Sequence, residues 1–159
     1  MTDARQGEGL WRALDRLPRG GWVIFRHYEL PKGERRALFE RVRRVARARG
    51  LRLLVAGEAF PGADGVHGRD PRRRRGLRSW PAHDAREVIA GARAGADLIL
   101  ISPVFPTRSH PGAPTLGPLR AMRLARRAKG RAVALGGMDA RRYRRLRGFV
   151  GWAGIDAWG

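Results

Sequence analysis

The residues Gly95-Ala96-Asp97-Leu98-Ile99-Leu100-Ile101-Ser102 place a glycine turn directly before a run of aliphatic side chains. Such a turn is typical of the point where a helix ends and a buried strand begins. The same opening occurs in Gly62-Ala63-Asp64-Gly65, and Gly151-Trp152-Ala153-Gly154 is a looser copy of it. We therefore interpret the chain as a series of βα units with parallel strands.

Short apolar runs alternate with amphipathic stretches along the whole chain. The pattern predicts seven strands, at Trp22–Arg26, Leu51–Ala56, Asp64–Val66, Gly76–Trp80, Asp97–Ser102, Arg131–Leu135 and Phe149–Ile155. It also predicts five helices, at Glu8–Leu17, Gly33–Arg49, Asp84–Ala94, Leu116–Lys129 and Asp139–Leu146. Seven parallel strands could form a doubly wound sheet. The first predicted helix, however, precedes the first predicted strand, as if it followed a strand that is missing. An α/β fold of the (β/α)8 TIM-barrel type, truncated at its first strand and lacking its last helix, fits better.

The length and composition are those of one globular domain. The chain has 159 residues, of which 43% are hydrophobic, and we expect residues 1–159 to form a single barrel domain. Because a complete barrel takes about 250 residues, we interpret Met1 as an internal methionine of a longer reading frame. There is no cysteine, which excludes disulfides and thiolate chemistry. No apolar run approaches the roughly 20 residues of a membrane span, so we expect a cytoplasmic protein without a membrane partner.

The formal net charge of +20 comes from 32 arginines and only two lysines. The arginines are spread over nearly every predicted helix, as in the group Arg35, Arg36, Arg41, Arg43, Arg44, Arg47 and Arg49. This distribution favours solvated helix faces over a dedicated nucleic-acid surface. A polyanion partner such as RNA is a second possibility, and the densest cluster, Arg72 to Arg75, suits either interpretation.

All four histidines follow predicted strands. His27, His67, His83 and His110 come after the strands that begin near Trp22, Asp64, Gly76 and Asp97. A single histidine of this kind is usually a surface or capping residue. Since working residues of a barrel lie past the carboxyl ends of its strands, four together predict a site on one rim.

Two loops carry groups that suit a phosphate. The loop from Ser102 to Gly112 holds Thr107, Arg108 and Ser109 between prolines, and prolines stiffen the backbone that presents these donors. The second loop, Ala134-Leu135-Gly136-Gly137-Met138-Asp139, runs from a strand into a helix and offers backbone N–H groups to an anion. A lone pair of glycines is weak evidence, but this position matches the usual phosphate site of a barrel.

Three segments resemble the thiamine phosphate synthases and the related thiazole tautomerases. They are Gly62-Ala63-Asp64-Gly65-Val66-His67-Gly68, then Gly95-Ala96-Asp97 leading to Pro103-Val104-Phe105-Pro106-Thr107, then Ala134-Leu135-Gly136-Gly137-Met138. The Pro-Val-Phe-Pro-Thr loop is the most specific, and Met1-Thr2-Asp3 resembles the end of the family's first strand.

The resemblance implies an enzyme of thiamine biosynthesis, a thiamine-phosphate diphosphorylase (transferase) that uses Mg²⁺. It would couple an aminopyrimidine diphosphate with a thiazole phosphate to give thiamine phosphate and pyrophosphate. Arg26 and His110 would be catalytic. The resemblance also implies Thr107, Ser109, Gly136 and Gly137 for substrate phosphates and Asp70 for the metal. From their positions we add His67, His83 and Arg108 for phosphates and Glu58 for the metal. The partners would be these small molecules, with a homo-oligomer also possible.

The chain departs from the family pattern at three places. Ala56-Gly57 stands where the family has Asn-Asp, so Glu58 is the nearest carboxylate at that place. Tyr28 and His110 stand where the family has lysines. A divergent or inactive phosphate-binding relative, such as a thiazole tautomerase, is therefore an alternative, although Pro103 stands where the tautomerase histidine is expected. RNA binding is a third and less favoured function.

Overall fold

A computed structural model describes residues 1–70, 76–109, 112–155 and 157–158. These residues form two compact units. The described part of the first unit comprises residues 1–67, 76–77, 155, 157 and 158, and that of the second comprises residues 68–70 and 78–154 with residues 110 and 111 left out. The predicted Arg72–Arg75 cluster and His110 lie outside the described residues.

The first unit contains three parallel strands and two helices. In chain order they are α1 (Gly9–Arg16), β1 (Trp22–Phe25), α2 (Lys32–Ala48), β2 (Arg52–Ala56) and β3 (Gly65–His67), with a 3-10 turn at Ala4–Gln6. β2 pairs with β1 and β3. Before the turn, the Thr2 N–H donates to the Ile24 carbonyl over 2.9 Å, so the first residues lie along β1 where the resemblance places the end of a strand.

The core of the first unit lies between its strands and its helices. Phe25, Phe39 and Phe60 meet there, with Phe39 and Phe60 stacked at a centroid distance of 4.9 Å. α2 contributes Phe39, Val42 and Ala46, which recur at helical spacing and are fully buried. This apolar stripe explains why the stretch is a helix despite its many arginines.

The second unit continues the alternation of strand and helix. Its elements are β4 (Leu77–Ala82), α3 (Ala85–Arg93), β5 (Leu98–Ile101), α4 (Gly117–Arg127), β6 (Ala132–Leu135), α5 (Ala140–Tyr143) and β7 (Gly151–Ala153). The strands pair in parallel in chain order. Val88, Ile99, Ile101 and Leu124 lie in the core between them and the helices, as expected for a parallel sheet covered by helices.

The Gly-Ala-Asp repeat makes the same contact in both units. The Asp64 carboxylate accepts a hydrogen bond from the Leu53 N–H over 2.7 Å, and the Asp64 N–H donates to the Leu53 carbonyl. Asp97 repeats both bonds with Arg78, the carboxylate again at 2.7 Å. Each aspartate therefore fixes the start of its own strand against the start of the preceding one.

Within the described residues, the predicted alternation of seven strands and five helices is confirmed, and most boundaries agree within two residues. The clearest differences are near the carboxyl terminus. The helix predicted over Asp139–Leu146 is regular only over Ala140–Tyr143, and the strand predicted over Phe149–Ile155 is regular only over Gly151–Ala153. Asp139 caps this helix through the Arg142 N–H.

Burial of two arginines corrects the expectation that arginines lie on solvated faces. Arg35 is only 7% exposed and Arg78 only 6%. Arg78 donates from its guanidinium to the Ala94 carbonyl over 2.8 Å. Most other arginines of α2 are exposed, including Arg36, Arg41 and Arg44, so the expectation holds for those residues.

Within the described residues, no helix is both long enough and apolar enough to cross a membrane.

We expect Asp97→Ala to lower the free energy of unfolding by about 1–3 kcal/mol, because it removes a charged acceptor from the Arg78 N–H. Urea denaturation checks this. Asp97→Asn is the matched control, since its amide oxygen can still accept the bond, and it should lose less. Equal losses in the two variants would contradict the assignment.

Candidate functional site

In the first unit, two guanidinium groups lie at the carboxyl ends of β1 and β2. Arg26 directly follows β1, its side chain is 29% exposed, and Nη1 lies 3.9 Å from Asp3 Oδ2. Arg35, from the first turns of α2, donates from Nε to the Arg26 carbonyl over 3.2 Å and from Nη2 to the Ala56 carbonyl over 2.8 Å. The carbonyls of Arg26 and Ala56, at the ends of two neighbouring strands, therefore accept hydrogen bonds from one buried arginine.

Aromatic rings surround the Arg35 guanidinium on its other sides. Its central carbon lies 4.8 Å from the ring centroid of Phe60 and 5.6 Å from those of Phe25 and Tyr28. Tyr28 is 55% exposed, and the Arg26 guanidinium lies 5.8 Å from the same ring. Tyr28 thus contacts both cations, although sequence reasoning noted it only as a missing lysine.

Arg35 is the residue that sequence reasoning missed. Its spacing carries a signal, because Arg35, Phe39, Val42 and Ala46 follow one helical stripe and all four are buried. A charged residue on an apolar stripe needs partners inside the fold.

Two histidines of the first unit have lowered pKa values, which favours their neutral form. Burial, with the positive charges of Arg26 and the N-terminal amine, lowers the pKa of His67 to about 4. Burial also lowers the pKa of His27, whose Nδ1 lies 3.0 Å from Thr2 Oγ1 and whose ring stacks on Phe25. At 5% exposure, His27 packs inside the unit, and its predicted role in a histidine rim stays a prediction.

In the second unit, His83 follows β4 and is oriented by Ser102. Its Nδ1 lies 2.7 Å from the Ser102 carbonyl oxygen. Because a carbonyl can only accept, Nδ1 carries the proton and Nε2 of the neutral ring is an acceptor.

The Pro-Val-Phe-Pro loop packs on the glycine pair that follows β6. The Val104 N–H donates to the Leu135 carbonyl over 2.9 Å, and the Phe105 N–H to the Gly136 carbonyl over 3.1 Å. Both glycines have positive φ. An added Cβ would lie 2.7 Å from Pro103 at Gly136 and would overlap the Pro106 carbonyl oxygen at Gly137. Only glycine fits at either position.

Arg142 of α5 extends this arrangement. Its guanidinium donates to the Gly137 carbonyl and lies 5.0 Å from the Phe105 ring centroid. Sequence reasoning did not single it out, since it belongs to a run of five arginines over residues 141–147.

The hydroxyl residues predicted to bind phosphate lie together after this loop. The Ser109 N–H donates to Thr107 Oγ1 over 3.3 Å, and Arg108 between them is exposed. The phosphate contacts of these three residues stay predictions. The same holds for the contacts predicted for Arg26, His67, His83, Gly136 and Gly137.

Each of the two carboxylates predicted for a metal has a partner of its own. Glu58 is exposed and pairs with Lys32 over 3.1 Å, and Asp70 is half-buried and also has a partner. No group of three His, Asp or Glu side chains in the described residues could hold an ion together. These residues therefore offer no cage of three protein ligands, and magnesium is usually held by one or two carboxylates with substrate phosphates and water.

Comparison with known proteins places these features in one class. The thiamine phosphate pyrophosphorylase of Pyrococcus furiosus superposes with a TM-score of 0.76 at 20% identity, covering 96% of this chain and 82% of that one. The chain therefore has the α/β, TIM-type fold of that protein, which confirms the predicted fold class.

The family follows from sequence. The family model described as thiamine monophosphate synthase matches residues 2–157, and the chain belongs to that family. Thiamine-phosphate synthases of Geobacillus thermodenitrificans and Geobacillus kaustophilus are 33% and 31% identical over 122 residues, covering 65% of this chain. The chain spans about half the length of these curated relatives, 53% in each case.

The pKa of His67 predicts a loss of stability in acid. Its folded value of about 4 lies below the unfolded value of about 6.5, so the unfolded chain binds the proton more readily. The free energy of unfolding should therefore fall as the pH drops from about 6.5 towards 4. Between about pH 7 and pH 5, the wild type should lose about 2 kcal/mol more than His67→Gln.

Urea denaturation of both proteins at the two pH values measures this difference. A proton NMR titration of the His67 ring gives its pKa directly, and a value near that of a free histidine would contradict the burial argument.

Proposed function

We propose that this chain couples an aminopyrimidine diphosphate with a thiazole phosphate to form thiamine phosphate and pyrophosphate. The observation that carries the proposal is the Pro103–Pro106 loop packed against Gly136 and Gly137, at positions where a side chain would clash. Membership of the thiamine monophosphate synthase family supports the choice of reaction.

This reaction requires the protein to stabilise developing charge more than to transfer protons. The bond between the pyrimidine methylene carbon and the diphosphate oxygen breaks, and pyrophosphate leaves with the electron pair. The thiazole nitrogen then donates its lone pair to the methylene cation and forms the new C–N bond. Fixed cations next to the leaving group stabilise this transition state.

We assign the roles within each unit separately. In the first unit, Arg26 binds the diphosphate, which a guanidinium can contact with two donors. His67 is neutral near pH 7, because its pKa is about 4, and so acts there through hydrogen bonds. In the second unit, the backbone at Gly136 and Gly137 and the hydroxyls of Thr107 and Ser109 bind the thiazole phosphate. His110 stays a predicted catalytic residue.

Magnesium stays a prediction from the resemblance, with Asp70 and Glu58 as its predicted ligands. When bound, the ion would neutralise charge on the diphosphate. Since the described residues offer no cage of three protein ligands, we derive no step through the ion.

The direct test is the formation of thiamine phosphate from the two purified substrates, followed by chromatography. Product supports the proposal, and its absence at all substrate concentrations rejects it.

A variant pair tests the glycine pair. We expect Gly137→Ala to weaken binding of thiazole phosphate roughly tenfold or more, because displacing the Pro106 carbonyl disturbs donors to a charged group. Gly130→Ala is the matched control, since Gly130 also has positive φ but open space around it. Isothermal titration calorimetry measures both, and equal affinities would refute the assignment.

One observation favours a second function, thiazole tautomerisation. The Ser102 carbonyl fixes the His83 tautomer, which leaves Nε2 as an acceptor that can serve as a general base. If the chain converts a thiazole phosphate tautomer and His83→Asn abolishes that conversion, this second function replaces the first.

A further inference from the structure

We propose that the first unit binds the diphosphate group without a divalent cation, with the Arg35 guanidinium in the place of a metal ion. The inference deepens the proposed function and rests on it for the identity of the substrate. The binding site itself is argued from the contacts of Arg35.

Arg35 carries a buried charge without a counter-ion in the described part of the chain. Arg35 is 7% exposed, and among the described residues it forms no salt bridge with a carboxylate. Its protein partners are two carbonyls and three aromatic rings. Burying a cation without a counter-ion is costly, and an anionic ligand would supply the missing charge.

Arg35 also keeps one nitrogen out of its hydrogen bonds to the strand ends. Nε and Nη2 of Arg35 donate to the Arg26 and Ala56 carbonyls, whereas Nη1 makes no hydrogen bond within the described residues. Nη1 can therefore donate to a phosphate oxygen of a ligand bound at the carboxyl ends of β1 and β2.

Gly57 places no side chain beside the Arg35 guanidinium. This residue follows β2 with φ of +80°, and a Cβ there would lie 4.0 Å from Arg35 Nη2 and 3.1 Å from the Tyr28 ring. A carboxylate on that Cβ would lie beside the guanidinium and neutralise it. Glycine leaves the cation free for the ligand.

A diphosphate suits this surface better than a monophosphate. Arg26 and Arg35 are joined through the Arg26 carbonyl and contact the same Tyr28 ring, at 5.8 and 5.6 Å from its centroid. Two linked phosphates can accept hydrogen bonds from both guanidiniums at once. Arg26 is partly offset by Asp3 at 3.9 Å, so Arg35 provides the less compensated charge.

The experiment is calorimetric titration of the whole chain with inorganic pyrophosphate, in EDTA and again in Mg²⁺. We expect binding in EDTA, with an affinity that Mg²⁺ leaves unchanged or lowers. Inorganic phosphate should bind more weakly. Binding that needs Mg²⁺ or is strengthened by it overturns the proposal, and equal affinity for phosphate overturns the diphosphate assignment.

Two sets of variants assign the binding to Arg35. We expect Arg35→Met to weaken pyrophosphate binding in EDTA roughly tenfold or more, the loss of a charge-assisted hydrogen bond. Arg36→Met, next along α2 and exposed, is the matched control and should bind as the wild type does. An unchanged affinity in a folded Arg35→Met overturns the role.

Gly57→Asp and Gly57→Asn keep the proposal testable if Arg35→Met does not fold. Both place a side chain of the same size in the same left-handed conformation, which Asp and Asn tolerate better than most residues. Only Gly57→Asp adds a negative charge beside Arg35, so it should bind pyrophosphate in EDTA more weakly than Gly57→Asn. Equal affinities overturn the proposal.

These measurements separate the two hypotheses. Pyrophosphate binding in EDTA without thiamine phosphate formation would reject the proposed reaction and leave the Arg35 site in place. Formation of thiamine phosphate together with pyrophosphate binding that needs Mg²⁺ would support the proposed reaction and reject the Arg35 site.

Discussion

Both units depend on one hydrogen bond of the Gly-Ala-Asp repeat. In each unit, the aspartate carboxylate accepts a hydrogen bond from an N–H near the start of the preceding strand. Asp64 holds Leu53 and Asp97 holds Arg78, each over 2.7 Å. A parallel strand can slip along its neighbour, and a slip by one residue would turn every buried side chain outward. By fixing the strand starts, the two aspartates also fix where β2, β3, β4 and β5 end, and the candidate groups His67, His83 and Thr107 lie at or after the ends of β3, β4 and β5.

The sequence predicted the alternation of strands and helices well because this repeat is local. Glycine turns and aliphatic runs mark the strands from β1 to β6, and the structure agrees with them closely. The end of the chain was harder, since the helix predicted over Asp139–Leu146 is regular only over Ala140–Tyr143. The aspartates themselves were predicted only as the first residues of their strands, because the hydrogen bonds of their carboxylates reach residues eleven and nineteen positions away.

The candidate site was only partly predictable for a related reason. Gly136 and Gly137 are recognisable in the sequence, because two adjacent glycines between a strand and a helix indicate a close approach of backbone segments. Arg35 is not, since its burial depends on carbonyls from β1 and β2 that come together only in the fold. His27 illustrates a related limit, since its position after a strand predicted a role in a site but did not indicate that its ring packs on Phe25.

The uneven burial of the arginines has a consequence for protein engineering. A chain with 32 arginines and a net charge of +20 invites wholesale replacement of arginine by glutamine or glutamate, to reduce adhesion to nucleic acids during purification. Such a scheme treats the arginines as interchangeable solvent-facing groups. Arg35 and Arg78, like Arg49 and Arg131, are cross-links between segments of backbone. A charge-reduced library that spares these four should keep its soluble yield, whereas one that includes them should lose it.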